Sequence, residues 1–256
     1  MEIELQHVSF EYRTERRSAL ADISLRIGSH EFVAIVGPSG CGKSTLLNLI
    51  GGFLQPTSGT VLAGGKLVAG PGADRITIFQ KSALFPFYSA AQNIEFGLKL
   101  RGVSKRQRQI ESRRVLEAIN LLDFANAYPK ELSEGMKKLV EVARALVLST
   151  PVILFDESLS GVDALKRYRM QQLIQDIYLR NRPTVIWVTH DLEEAVLLAD
   201  RVVVMSHRPG RIDSVRDVTL PRPRTEAMRT SSELQAIRRE IFDCLVSEGA
   251  LSEVAQ

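Results

Sequence analysis

Cysteine is almost missing from this chain. Cys41 and Cys244 are the only two in 256 residues, too few for a disulfide framework, and such usage fits a reducing cytoplasm. Long apolar runs are missing too: no stretch approaches the ~18 uninterrupted apolar residues of a membrane span. If the protein works at a membrane, something other than a span of its own holds it there. Residues Met1 to Leu5 show no basic head followed by an apolar run, so they do not read as a secretory signal. There is no internal repeat, no low-complexity tract, and no strong excess of one charge. The net charge of +3 and a pI near 8.9 permit contact with an anionic membrane surface without calling for nucleic acid. What remains is an ordinary globular composition, 45% hydrophobic and 25% charged. It is long enough for one large domain or two modest ones with an ample core.

Residues Ile3 to Phe10 and Ile23 to Ile27 alternate polar with apolar side chains, predicting half-exposed strands in a small antiparallel sheet. Glu31 to Val36, Pro151 to Phe155, Thr184 to Thr189 and Val202 to Met205 are instead continuous apolar runs of the kind buried in a parallel sheet. Helical stretches separate them, so the α/β class with βαβ units is the economical reading. From Asn93 to Arg144 the pattern is mainly helical, which predicts a helical subdomain inserted into the α/β core at about residues 85–145. Its charge cluster from Lys105 to Arg108 reads most simply as a solvated helix start. After Leu220 the run Pro221, Arg222, Pro223, Arg224 reads as an extended linker. A short amphipathic helix follows, around Ser232 to Val246.

The densest chemistry lies at Gly37, Pro38, Ser39, Gly40, Cys41, Gly42, Lys43, Ser44 and Thr45. An apolar strand precedes this G-x-x-x-x-G-K-[ST] pattern and the apolar helix Leu46 to Ile50 follows it, the context a phosphate-binding loop requires. Glycines let the backbone turn its N–H groups inward around a phosphate chain, and the helix start adds unpaired donors and a positive dipole end. Lys43 can reach the β- and γ-phosphates of ATP, and the Ser44 hydroxyl can bind Mg²⁺. Cys41, at a helix start beside Lys43, is expected to have a lowered pKa and to block the site when alkylated.

Four further elements fit one machine. The strand Val152 to Phe155 delivers Asp156, placed to hold Mg²⁺, and Glu157, placed to polarise an attacking water. Trp187, Val188 and Thr189 lead to His190, whose imidazole could bond the γ-phosphate and that water. Gln80 closes another apolar run and could sense Mg²⁺ and water. Tyr12 precedes the loop by one short sheet and offers a ring to stack on adenine; alone it would be an ordinary edge-strand tyrosine. The aromatic segment Leu84 to Tyr88 suits either a helix-in-groove contact or a buried loop.

Leu132, Ser133, Glu134, Gly135 and Met136, followed by Val142 to Leu146, stand just before the acidic strand. With the phosphate loop, Gln80, Phe155 to Ser158, Ser160 to Asp163 and Val188 to Asp191, this set resembles the ATP-binding-cassette (ABC) ATPases, in the family's order, over residues 1–220. The tail from Met205 to Ile212 and from Leu220 to Arg224 resembles importers of nitrate, alkanesulfonates and taurine.

The resemblance implies a P-loop NTPase (RecA-like) core with an N-terminal antiparallel β subdomain and an inserted α-helical subdomain. Residues 1–220 would be the ATPase domain and 221–256 a short linker and helix. It also implies a head-to-tail pair of cassettes, alike or different, in which the turn of Ser133 and Gly135 from one copy caps the ATP held by the other. Asp163 would cross the seam and help set the water. Closure on ATP would drive transmembrane permease subunits from the cytoplasmic face of the membrane, with a periplasmic solute-binding protein involved indirectly and no nucleic acid. The segment Leu84 to Tyr88 would form part of the groove for the permease.

The chain departs from the family at Glu134, where glycine is usual, and at Leu139, where arginine is common. A carboxylate suits a helix start, yet repels an incoming γ-phosphate if it points inward. Glu134 keeps open a cassette impaired in hydrolysis and paired with a competent one; a separate alternative is an ABC ATPase that does not serve transport.

Overall fold

The computed structural model describes residues 1–12, 17–159 and 162–247. Along the chain, strands β1 (Ile3–Tyr12), β2 (Arg17–Ile27) and β3 (Phe32–Val36) lead to helix α1 (Lys43–Gly51). Strands β4 (Ser58–Ala63), β5 (Lys66–Leu67) and β6 (Arg75–Ile78) follow. Next come helices α2 (Ala90–Leu100), α3 (Lys105–Ala118) and α4 (Glu134–Leu146), strand β7 (Val152–Asp156) and helix α5 (Ala164–Asn181). The chain ends through β8 (Thr184–Val188), α6 (Leu192–Leu198), β9 (Arg201–Met205), β10 (Ile212–Asp217) and α7 (Ser232–Ser247). Two compact units divide it: residues 1–76, 151–156 and 183–256 form one, and residues 77–150 and 157–182 the other.

The first unit holds two sheets. An antiparallel one runs β2-β1-β4-β5. Strand β1 buries Ile3 and Leu5, then Val8 and Phe10, so the buried set moves from odd to even positions. Strict alternation cannot do this without an extra residue. The pairing with β2 shifts between Leu5 and Val8, where His7 has φ +50°, and this bulge keeps both halves facing one core. The other sheet runs β10-β9-β3-β8-β7-β6, and the boundary between the two units falls within β6. Strands β3, β7 and β8 are buried along their whole length, as expected of strands covered on both faces. Leu46, Leu47, Leu49 and Ile50 of α1 join Ile35, Leu154, Ile186 and Val203 in one buried cluster.

The second unit is built on capped helices. Ser89 and Gln92 form a reciprocal capping box on α2, and Ser104, Ser133 and Asp163 each cap a helix by accepting a backbone N–H three residues on. Each cap satisfies a donor that the first turn leaves open. The aromatic segment folds into a cluster in which Phe85 packs on Phe96 at 4.5 Å between ring centres. Phe87 is 66% exposed, so the segment is not a buried loop. Among the described residues, no helix is long and apolar enough to cross a membrane.

The tail differs from the expected extended spacer. Arg224 is buried in the first unit, and β10 adds an antiparallel edge strand to β9.

Candidate functional site

In the first unit, β3 ends at Val36 and the loop Gly37–Gly42 turns the chain into α1. Two glycines are obligatory for different reasons. Gly42, the N-cap, has φ +102°, and a Cβ there would lie 2.7 Å from a Leu20 methyl. At Gly37 a Cβ would lie 2.8 Å from the Met205 carbonyl oxygen. At these two positions the loop passes against β9 and β2 with no room for a side chain.

Lys43 is buried, and its ammonium donates to the carbonyls of Gly37 (2.8 Å) and Pro38 (2.9 Å) in its own loop. Ser39, Gly40 and Ser44 are exposed along the same loop. The Ser44 hydroxyl donates to Asp156 Oδ1 at 2.8 Å, so the end of β7 is set beside the helix start across 112 residues of sequence. The Tyr12 hydroxyl bonds the Thr45 hydroxyl at 3.0 Å, and its ring packs edge-on against Phe10. Tyr12 thus stands beside the first turn of α1.

Cys41 overturns its expectation. It is 1% exposed, and burial pushes its thiol above the usual range, outweighing the opposing pull of Lys43. Lys43 still pulls the pKa down, but desolvation of the thiolate is the larger effect.

His190 follows β8 and is exposed. Its neighbours are fixed on both sides. Thr189 Oγ1 and Trp187 Nε1 donate to Glu194 Oε2 at 2.9 and 3.3 Å. Asp191 caps α6, accepting from the N–H groups of Glu193 and Glu194.

In the second unit, Gln80 Nε2 donates to Glu157 Oε2 at 3.3 Å. Glu157 has φ +44°, a conformation that costs a side-chain-bearing residue and is found concentrated at functional sites. The Ser133 hydroxyl accepts from the Met136 N–H at the start of α4. Glu134 points to solvent: its side chain is 79% exposed and pairs with Lys137 at 2.6 Å. Asp163 caps α5 and pairs with Lys166 at 2.8 Å, which holds its carboxyl below the usual range. Of the segment Ser160–Asp163, Ser160 and Gly161 lie outside the described residues.

Lys166 escaped sequence reasoning. A Cβ at Gly135 would meet its Cδ at 3.2 Å, so it lies across the Ser133–Gly135 turn. The three-residue spacing from Asp163 was a signal that could have found it. A second omission is the buried pair Lys138–Glu141, at 3.3 Å. Lys138 also donates to the Phe79 carbonyl beside Gln80.

Within the first unit, a loop of N–H donors, a lysine and a hydroxyl–carboxylate pair make a nucleotide-phosphate site. Comparison with known proteins agrees. A family model described as ABC transporter matches residues 20–160. The nitrate import ATP-binding protein NrtD of Synechocystis is 46% identical over 203 residues, covering 79% of this chain and 76% of the relative. The taurine import ATP-binding protein TauB of Chromobacterium violaceum is 40% identical over 247 residues, covering 96% and 93%. Among solved structures, the ATP-binding cassette MJ0796, dimeric and bound to ADP and Pi, superposes with a TM-score of 0.76 at 29% identity. It covers 86% of this chain and all of that one. The chain belongs to the ABC transporter family, as its ATP-binding ATPase cassette.

Proposed function

We propose that the protein powers import of a small anion or small organic solute of the nitrate, sulfonate or taurine kind. It would do so from the cytoplasmic face of the membrane, paired with a second cassette and two permease subunits and supplied by a periplasmic receptor. Residues 1–220 form the ATPase domain and 221–256 its tail. The names of the relatives support the solute class, and the exposed Phe87 supports a permease contact near Leu84 to Tyr88.

The observation that carries the reading is the 2.8 Å contact between Ser44 and Asp156. These two hard oxygens fit Mg²⁺, which takes one or two protein ligands and fills its remaining positions with water and phosphate. When bound, Mg²⁺ supplies charge neutralisation on the β- and γ-oxygens.

The chain's own groups supply the rest. Backbone N–H groups from Ser39 to Thr45, with the α1 dipole, cradle the phosphates, and Lys43 exchanges its loop carbonyls for phosphate oxygens. The Tyr12 ring meets the adenine face. Glu157 takes the proton of the attacking water, oriented by Gln80, while His190 bonds the γ-phosphate. Ser133 and Gly135 of the second copy cap that phosphate, with Asp163 at the seam. Replacing Glu157 by Gln removes the proton acceptor while preserving shape. Turnover should fall by at least about 100-fold with ATP affinity unchanged. Retained turnover would assign the base elsewhere.

A further inference from the structure

Three arginines that follow β10 converge on α6, the helix that begins two residues after His190. Arg224 is 1% exposed. Its guanidinium donates to the carbonyls of Val196 (2.8 Å) and Ala199 at the end of α6, and to those of Val218 (3.2 Å) and Leu220 (3.0 Å). Arg222 donates to the Leu198 carbonyl and pairs with Asp200 at 2.7 Å. Asp200 in turn accepts from the Phe32 N–H at the start of β3 (3.1 Å). Arg229 pairs with Glu193 in the first turn of α6. One tail thus holds both ends of a seven-residue helix.

A spacer would not need this. Burying a guanidinium is costly and is offset only where several acceptors meet it. Here two of the acceptors, the Val196 and Ala199 carbonyls, are at the C-terminus of α6, where a cation is favoured by the dipole. The other end of α6 is where His190 is set: Asp191 caps it, and Glu194 receives Thr189 and Trp187 from the strand before. A shift of α6 therefore carries Thr189, His190 and Asp191 with it.

We propose that this arginine clamp fixes the position of His190, making Arg224 and Arg229 positioning residues for hydrolysis. The proposal rests on the reading of His190 as the γ-phosphate contact. It assigns a role to the run from Leu220 to Arg224, which otherwise reads as a linker.

The test uses the whole chain and the partly exposed pair Arg229–Glu193, so that folding survives; melting temperature serves as control. In Arg229→Gln and in Glu193→Gln, kcat should fall about tenfold, short of the ~100-fold that a 1 Å misplacement can cost. ATP affinity should stay within about twofold. The chain has four histidines, so the His190 ring signal can be assigned by NMR from its loss in His190→Gln. That signal should move in both variants, and those of His7 and His30 should not. Arg229→Lys, which keeps a cation between Glu193 and Glu226, should recover most of kcat and return the signal toward its native position. Unchanged kcat and an unmoved His190 signal in the single variants would overturn the clamp. Wild-type turnover in His190→Gln would instead overturn the parent reading.

Discussion

Glu134 opens α4, the turn proposed to cap a partner's γ-phosphate, so restoring the glycine usual in the family is the sharpest perturbation available. A carboxylate and a phosphate charge ~4 Å apart repel by about 1 kcal/mol in water and about 4 kcal/mol at an effective dielectric near 20. The structure selects the lower figure. The Glu134 side chain is 79% exposed, and Lys137, 2.6 Å away, presents an opposite charge that cancels most of the remaining field. Salt screens it further. The electrostatic gain from Glu134→Gly should therefore stay below about 1 kcal/mol, less than a tenfold change in an equilibrium constant. Against it, glycine forfeits the favourable acidic contact with the α4 dipole, about 0.3–1 kcal/mol. Steady-state ATPase of the variant beside the native chain, with permease present, should give kcat/KM values within about fivefold. A gain above about tenfold would show that Glu134 turns inward in the working dimer, and would restore the reading of an impaired cassette with a competent partner.

Three more outcomes follow from local geometry. Thiol reagents at pH 8 should label Cys244 and spare the buried Cys41. Because burial raises the Cys41 pKa, its thiolate fraction falls at every pH below that value, and equal labelling by mass spectrometry would contradict the burial. Tyr12→Phe removes the bond to Thr45 and should cost about 1 kcal/mol in denaturant unfolding. It should leave ATP affinity within about threefold, whereas Tyr12→Ala weakens it further; equal affinities in the two variants would remove the ring from the site. Gly42→Ala places a Cβ at φ +102° and 2.7 Å from Leu20, so it should cost about 1–3 kcal/mol of stability and abolish ATP binding; a native-like melting curve would refute the crowding.

The phosphate loop was legible because its chemistry is local: the glycines, Lys43 and Ser44 must be consecutive to wrap a phosphate, so spacing alone reveals them. The buried strands were legible for a related reason, since burial on both faces demands continuous apolar runs such as Val33 to Val36. What escaped was decided by distant partners. Strand β10 reads Ile-Asp-Ser-Val-Arg-Asp and joins the sheet by backbone pairing with β9, which polar side chains do not advertise. Cys41 was read from its neighbours in sequence, whereas its burial decides its acidity. Arg224 looked like a solvated linker charge because the carbonyls that receive it lie 4 to 28 residues upstream. Glu134 presented two possible directions, and only the position of Lys137, one turn on, distinguishes them.

The head-to-tail composite site is tested most directly by sedimentation of Glu157→Gln with and without Mg·ATP. Loss of hydrolysis should trap the closed pair, so saturating ATP should convert monomer to dimer, and adding Ser133→Arg should abolish the shift. A chain that binds ATP yet stays monomeric throughout would contradict the capping of one copy's nucleotide by the other's Ser133 turn.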